Sequence, residues 1–197
     1  MRQCWSLVAL LKLFLMVQCG SGAAADMKPE KVPDSALHLV RITGEFEKSD
    51  YPKFMRAVAK LPLLFVVVLF NSPGGDLDSA LSIGEEIKHR GFSTAVEAGA
   101  ICASACALAW LAGDTRYMEP SSKIGFHAAY VREGQKAVEK GEGNALVGAY
   151  LERLGLSSDA IRYITRASPS DVQWLSIRHS MMLGINVTIP SQIRSSQ

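Results

Sequence analysis

The chain's most distinctive pattern is an unbroken apolar run, Leu-Phe-Val-Val-Val-Leu-Phe over 64–70, stopped by Asn71-Ser72-Pro73-Gly74-Gly75-Asp76. Its length and β-branched content predict a strand buried on both faces, as in a parallel sheet. The turn-forming residues that follow end it. From Leu77 to Arg90 the period becomes helical, with Leu77, Ala80, Leu81, Gly84 and Ile87 on one face and Gly91 as the stop. Alternation predicts a strand over His38–Phe46, followed by a helix over Tyr51–Ala59. Beyond Gly91 the pattern predicts a strand at Phe92–Val96, a small-residue turn at 99–106 and a helix beginning at Ala105–Leu111. Short strands follow at Arg116–Met118 and Lys123–Ala129. The rest reads as helices at Asn144–Leu154, Ser158–Arg166 and about 176–182, with a last strand at Ile185–Ile189. Such alternation of strand and helix predicts the α/β class with a largely parallel sheet.

The first 25 residues differ in kind. Arg2 precedes an apolar stretch over Trp5–Val17, then small residues that include Ala23 and Ala25. This three-part plan predicts a secretory signal cut after Ala25. The alternative is an uncleaved membrane anchor. A span needs roughly 20 apolar residues, and this run is shorter and interrupted by Lys12. The expected location is therefore periplasmic or secreted. Residues 26–37, polar and holding Pro29 and Pro33, are expected as a flexible arm, and 38–190 as one domain.

Hydrophobic residues make up 48% of the chain, enough for a sizeable core. The formal net charge is +2, and without Arg2 and Lys12 acid and base balance. Nothing in that balance points to nucleic acid. Cys102 and Cys106 are the two cysteines outside the leader. An even pair in an exported chain, four residues apart, is a disulfide candidate. Two thiols without paired histidines supply too few ligands for a metal, and none is expected.

Three segments carry candidate chemistry. A strand feeding Gly74-Gly75 and then a helix can present backbone N–H groups to an anion. Ser104 stands among small residues between a strand and a helix, where it is either a helix cap or a nucleophile favoured by the helix N-terminus. His127 ends a predicted strand and can act as a base for a serine. His38, His89 and His179 have no comparable setting. The glycine pair, the serine and the histidine each close a predicted strand, and strand ends are where open α/β sheets bind ligands.

Together the Asn71–Asp76 turn, Ser104 in Cys102-Ala-Ser-Ala-Cys106 and Gly125-Phe126-His127 resemble the ClpP peptidase family of the ClpP/crotonase superfamily. The resemblance spans about residues 38–187 and extends to an exported branch with a Cys-x-Ser-Ala-Cys elbow. It implies an α/β spiral of ββα units with a C-terminal helical segment. It also implies Ser104 as nucleophile, His127 as base, and an oxyanion hole at the backbone N–H groups of Gly75 and Ala105. Asp171 is the implied third member, although it lies one residue upstream of the family's position. The substrate would be a peptide or protein, no cofactor would be required, and the helical tail would support a homo-oligomer. The leader occupies the place of the segment that contacts the cytosolic ATPase, so no ATPase partner is expected. A Ser–Lys pair would need a lysine near the serine, and Lys123 is a strand's length from His127. A catalytically inactive binding or scaffold protein of the same fold is the alternative. An acyl-CoA enzyme of the crotonase type is less suited to an exported chain.

Overall fold

A computed structural model describes residues 24–190. Of the expected leader, only Ala24 and Ala25 fall within the described residues. The chain begins with β1 (Asp26–Lys31), β2 (His38–Thr43), α1 (Asp50–Val58), β3 (Val66–Asn71), α2 (Leu77–Arg90) and β4 (Ser93–Val96). The middle holds β5 (Ile101–Ala103), α3 (Ala105–Leu111), β6 (Arg116–Met118), β7 (Lys123–Phe126), β8 (Tyr130–Glu133) and β9 (Lys136–Glu139). The last part is α4 (Gly141–Arg153), α5 (Ser158–Thr165), β10 (Gln173–Leu175) and α6 (Ile177–Met182). No helix among the described residues is long and apolar enough to cross a membrane.

The apolar run forms β3 at the centre of a five-stranded sheet ordered β1-β2-β3-β4-β6. It pairs in parallel with β2 and β4, so both of its edges are satisfied by hydrogen bonds. A second sheet, ordered β10-β7-β5, holds the strand ends that carry Ser104 and His127. The mixed α/β architecture expected from the pattern is therefore the one observed.

Four differences from the sequence expectations have local causes. Asp26–Lys31, expected as part of a flexible arm, forms β1, paired antiparallel with β2 along its whole length. Pro29 is tolerated because β1 is an edge strand and can leave one donor position empty. Ala25 extends this anchorage: its N–H donates to the Glu45 carbonyl at 2.8 Å and its side chain is buried. The segment 99–106, read as a turn, contains β5, three residues held by parallel pairing with β7. Tyr130–Glu139, not anticipated as structure, is the β8–β9 hairpin, with Gly134 at φ 63° in its turn. Ile185–Ile189 contributes only a bridge between Thr188 and Tyr117 rather than a strand.

All seven residues of α3 are buried, which explains why its sequence, Ala-Cys-Ala-Leu-Ala-Trp-Leu, has no polar face. α2 packs against it, and α4 closes over both through Tyr150. The fully buried Tyr150 phenol donates to the Leu108 carbonyl at 3.1 Å. Gly84 of α2 makes room for it, since a Cβ there would run into the Tyr150 hydroxyl.

Burial raises the pKa of the Tyr150 phenol above its ordinary value. The folded state thus favours the protonated phenol. The stability this contributes is present below the unfolded pKa of about 10 and is lost as pH rises beyond it. Chemical denaturation at about pH 9 and about pH 11 should show a steep loss in the wild type. Tyr150→Phe should flatten that loss while costing about 1 kcal/mol near neutrality.

Candidate active site

The site is assembled where β3 leaves its sheet. Immediately after β3, Ser72 pairs with the second sheet: its N–H donates to Ile101 O at 2.7 Å, and its carbonyl accepts from Ala103 N–H at 3.1 Å. One strand therefore feeds both sheets and delivers the glycine turn beside Ser104. Inside the turn the Ser72 hydroxyl accepts the Gly74 N–H at 3.1 Å. Phe46 brackets the turn from the other side, donating to Gly74 O at 2.7 Å and accepting from Asp76 N–H at 2.8 Å. Asp76 then caps α2 by accepting from Ser79 N–H at 2.9 Å.

Both glycines are required by space as well as by conformation. Gly74 and Gly75 stand at φ 107° and 132°, a region that L side chains rarely adopt. A Cβ on Gly74 would lie 2.7 Å from both Ala103 O and Ser104 Cβ. A Cβ on Gly75 would collide with the Phe46 backbone.

Ser104 forms a sharp elbow between β5 and α3, at φ 56° and ψ −128°. A non-glycine residue there is strained by about 1–3 kcal/mol, so its surroundings must over-determine it. Its N–H donates to Gly125 O at 2.8 Å, and its carbonyl accepts from Ala107 N–H at 3.0 Å. A buried disulfide, Cys102–Cys106, straddles it with Cα atoms 5.2 Å apart. The Ser104 hydroxyl makes no capping bond to α3, so the helix-cap role open to it in the sequence is not the one it takes. Among the described residues, neither Gly75 N–H nor Ala105 N–H donates to an acceptor.

His127 follows β7, half-buried. Its Nδ1 lies 2.8 Å from Ala128 O. A carbonyl can only accept, so Nδ1 carries the proton and Nε2 is the basic nitrogen of the neutral ring. The ring is tilted against Tyr130 at a centroid distance of 5.4 Å. Ser104, Ala105, Gly74, Gly75 and His127 all line one cavity of about 400 Å³. Leu77, Leu108 and Val147 make its apolar wall, and Glu45, Tyr130 and Arg132 its polar side. No hydrogen bond joins Ser104 to His127 directly in this resting geometry.

Asp171 is not brought to this cluster. It is exposed in the turn before β10, where its N–H donates to Ser168 O at 3.0 Å and its Oδ1 accepts Val172 N–H at 2.7 Å. The acceptor that lies at His127 Nδ1 is the Ala128 carbonyl. Lys123 begins β7, at the opposite end from His127, and is exposed. His179 is engaged elsewhere, 3.1 Å from the Tyr163 hydroxyl. Tyr130 and Arg132 reach the cavity through the β8–β9 hairpin, whose charged sequence gave no sign of it. No cluster of three or more potential metal ligands occurs among the described residues.

Solved structures share this architecture. A membrane-bound stomatin-specific protease, in a serine-to-alanine variant, superposes with a TM-score of 0.61 at 16% identity, covering 79% of this chain and 80% of that one. A lysine-to-alanine variant of that protease, in complex with a substrate peptide, gives 0.61 at 18% identity, over 78% and 74%. A variant of ClpP1 from Listeria monocytogenes gives 0.58 at 20% identity, over 77% and 90%. At such identities the likeness is one of fold, and it is the ClpP-type fold. No protein-family model matches the chain, and no curated protein matches it in sequence.

Because the disulfide closes a very short loop, Cys102→Ala/Cys106→Ala should lower the unfolding free energy by about 2 kcal/mol. Equilibrium urea unfolding of the two proteins measures the difference.

Proposed function

We propose that this chain is an exported, ATP-independent serine peptidase-like hydrolase that works at Ser104. The observation that supports it most is the elbow itself. A strained serine with an uncapped hydroxyl borders a cavity beside two backbone N–H groups that have no acceptor. Strain of this kind concentrates where geometry serves chemistry.

In this reading Ser104 Oγ attacks the scissile carbonyl carbon while its proton passes to His127 Nε2. The carbonyl oxygen becomes an oxyanion and accepts from Gly75 N–H and Ala105 N–H. Collapse breaks the C–N bond, and the leaving amine takes the proton from Nε2. Water then enters, gives its proton to Nε2 and attacks the acyl carbon. Return of that proton to Ser104 Oγ releases the acid. The closing of Ser104 on His127 accompanies substrate binding, since catalytic hydrogen bonds are often longer without substrate. The substrate class is peptide or protein, and a neighbour of the same fold is known with a substrate peptide bound.

The leader-like N-terminus supports export, and outside the cytoplasm no ATP-driven unfolding partner is expected. Exposed apolar residues at Leu63-Leu64-Phe65 and Met181-Met182 support self-association into a homo-oligomer. The second reading is an inactive binding or scaffold protein, favoured by the absence of a direct Ser104–His127 bond and by the outward-facing Asp171.

A fluorophosphonate probe separates the two readings. The wild type should become covalently labelled, Ser104→Ala should not label, and His127→Ala should label about 100-fold more slowly or less. A folded wild type that stays unlabelled sinks the hydrolase reading in favour of the scaffold.

A further inference from the structure

The acceptor for His127 Nδ1–H is a peptide group whose own surroundings are fixed by side chains. The Ala128–Ala129 peptide accepts from His127 at 2.8 Å through its oxygen. Through its nitrogen it donates to Asn144 Oδ1 at 2.7 Å. Asn144 Nδ2 in turn donates to Glu139 Oε1 at 2.6 Å. The preceding residue is also tied down, since Ala128 N–H donates to Ala167 O at 2.8 Å. Asn144 lies in the first turn of α4 and Glu139 ends β9. The packing is built to admit this approach: a Cβ on Gly143 would lie 2.9 Å from Ala129 Cβ, so glycine lets α4 come up against the peptide.

We infer that Asn144 is a positioning residue for His127, oriented by Glu139, and that the peptide between them occupies the place a triad gives to a carboxylate. The inference rests on the reading of His127 as the base. When Nε2 takes a proton, the ring's positive charge makes Nδ1–H a stronger donor, and the carbonyl stabilises it. Donation from the same peptide's N–H to Asn144 polarises that carbonyl further, because linked hydrogen bonds strengthen one another. Glu139 sets the direction of the chain. With Nδ2 bound to the carboxylate, Oδ1 faces Ala129 N–H; the flipped amide would oppose donor to donor. Glu139 is exposed, so its part is orientation rather than a strong field.

Two measurements on the full folded domain test this. In ¹⁵N-histidine NMR the neutral His127 ring of the wild type should show Nδ1–H with a bare Nε2, and Asn144→Ala should lose that single tautomer. In fluorophosphonate labelling, Asn144→Ala should reduce the maximal rate about 10- to 100-fold with half-saturation unchanged, as expected for a misoriented base. Asn144→Asp places a second carboxylate beside Glu139 and should also slow labelling. Adding Glu139→Gln restores a donor–acceptor pair in swapped order, with the new amide donating to the new carboxylate, and should bring the rate back to within about threefold of the wild type. If Asn144→Ala does not fold, the swapped pair gives the same answer. Wild-type labelling and tautomer in Asn144→Ala overturn the inference, as does failure of Glu139→Gln to rescue Asn144→Asp. So does loss of the Nδ1–H signature in Asp171→Asn but not in Asn144→Ala. An unlabelled wild type with the Nδ1–H tautomer intact would strike the hydrolase reading alone, because the NMR arm does not require activity.

Discussion

The contact between Gly74 and Ser104 constrains the whole site. No side-chain atom fits between the two backbones: a Cβ on Gly74 would stand 2.7 Å from Ser104 Cβ. That proximity exists because Ser72 leaves one sheet and pairs with Cys102 in the other, so the two sheets share a single strand exit. Phe46 holds the turn from behind with two hydrogen bonds. The turn's position then determines where Gly75 N–H lies relative to Ser104. Any shift that accommodated a larger residue at 74 would move the turn relative to Ser104. Sheet topology, turn chemistry and the candidate oxyanion site are thus one feature viewed at three scales.

The strain at Ser104 is offset locally. Holding a non-glycine residue at φ 56° costs about 1–3 kcal/mol. A hydrogen bond to Gly125 contributes about 1 kcal/mol and the short disulfide about 2 kcal/mol. These are of the same order, so the elbow is retained without drawing on distant parts of the core. The wholly buried α3 adds a geometric requirement rather than a further bond. A helix with no polar face cannot rotate toward solvent, so its first residue cannot swing away from the cavity. The hairpin that forms the polar wall is held differently. A lone two-stranded hairpin is marginal in water, and the Lys140–Glu133 pair is exposed and weak. At its end Glu139 ties the second strand to Asn144 of α4 at 2.6 Å.

Much of this was legible in the residues. β3, α2 with its Gly91 stop, and the strand ends bearing Gly74-Gly75 and His127 follow from periodicity and turn chemistry, as does the small-residue setting of Ser104. These segments carry their own signals: β-branched runs, a 3.6-residue period, glycines where φ is positive. What escaped was structure imposed by partners. β5 and β10 are three-residue strands with no propensity to speak of, and both are held in place by pairing with β7. β1 is polar and contains Pro29, and only β2 beside it makes it a strand. The β8–β9 sequence is largely charged and reads as a loop. Asn144 was invisible for the same reason, since its role depends on a peptide fifteen residues earlier in the chain.

A carboxylate and a peptide carbonyl can each serve as the acceptor at a histidine Nδ1, and it is the Ala128 carbonyl that lies there in His127. What a histidine base requires at Nδ1 is an acceptor in fixed orientation, so that the proton stays there and Nε2 remains free. A carboxylate meets that requirement and adds charge, but burying it costs several kcal/mol unless further donors surround it. A peptide carbonyl meets it without a net charge and is carried by the backbone next to the histidine. Its weakness is that a single peptide plane can rotate. Here rotation is opposed on the opposite side of the same plane, by Asn144 at the peptide nitrogen, and by Ala167 one residue earlier. With the plane held, a carboxylate at the position of Asp171 is free to serve its own turn, closing on Val172 N–H in solvent. Fixed on both sides, the Ala128–Ala129 peptide offers His127 Nδ1 an acceptor whose orientation does not depend on an ion pair.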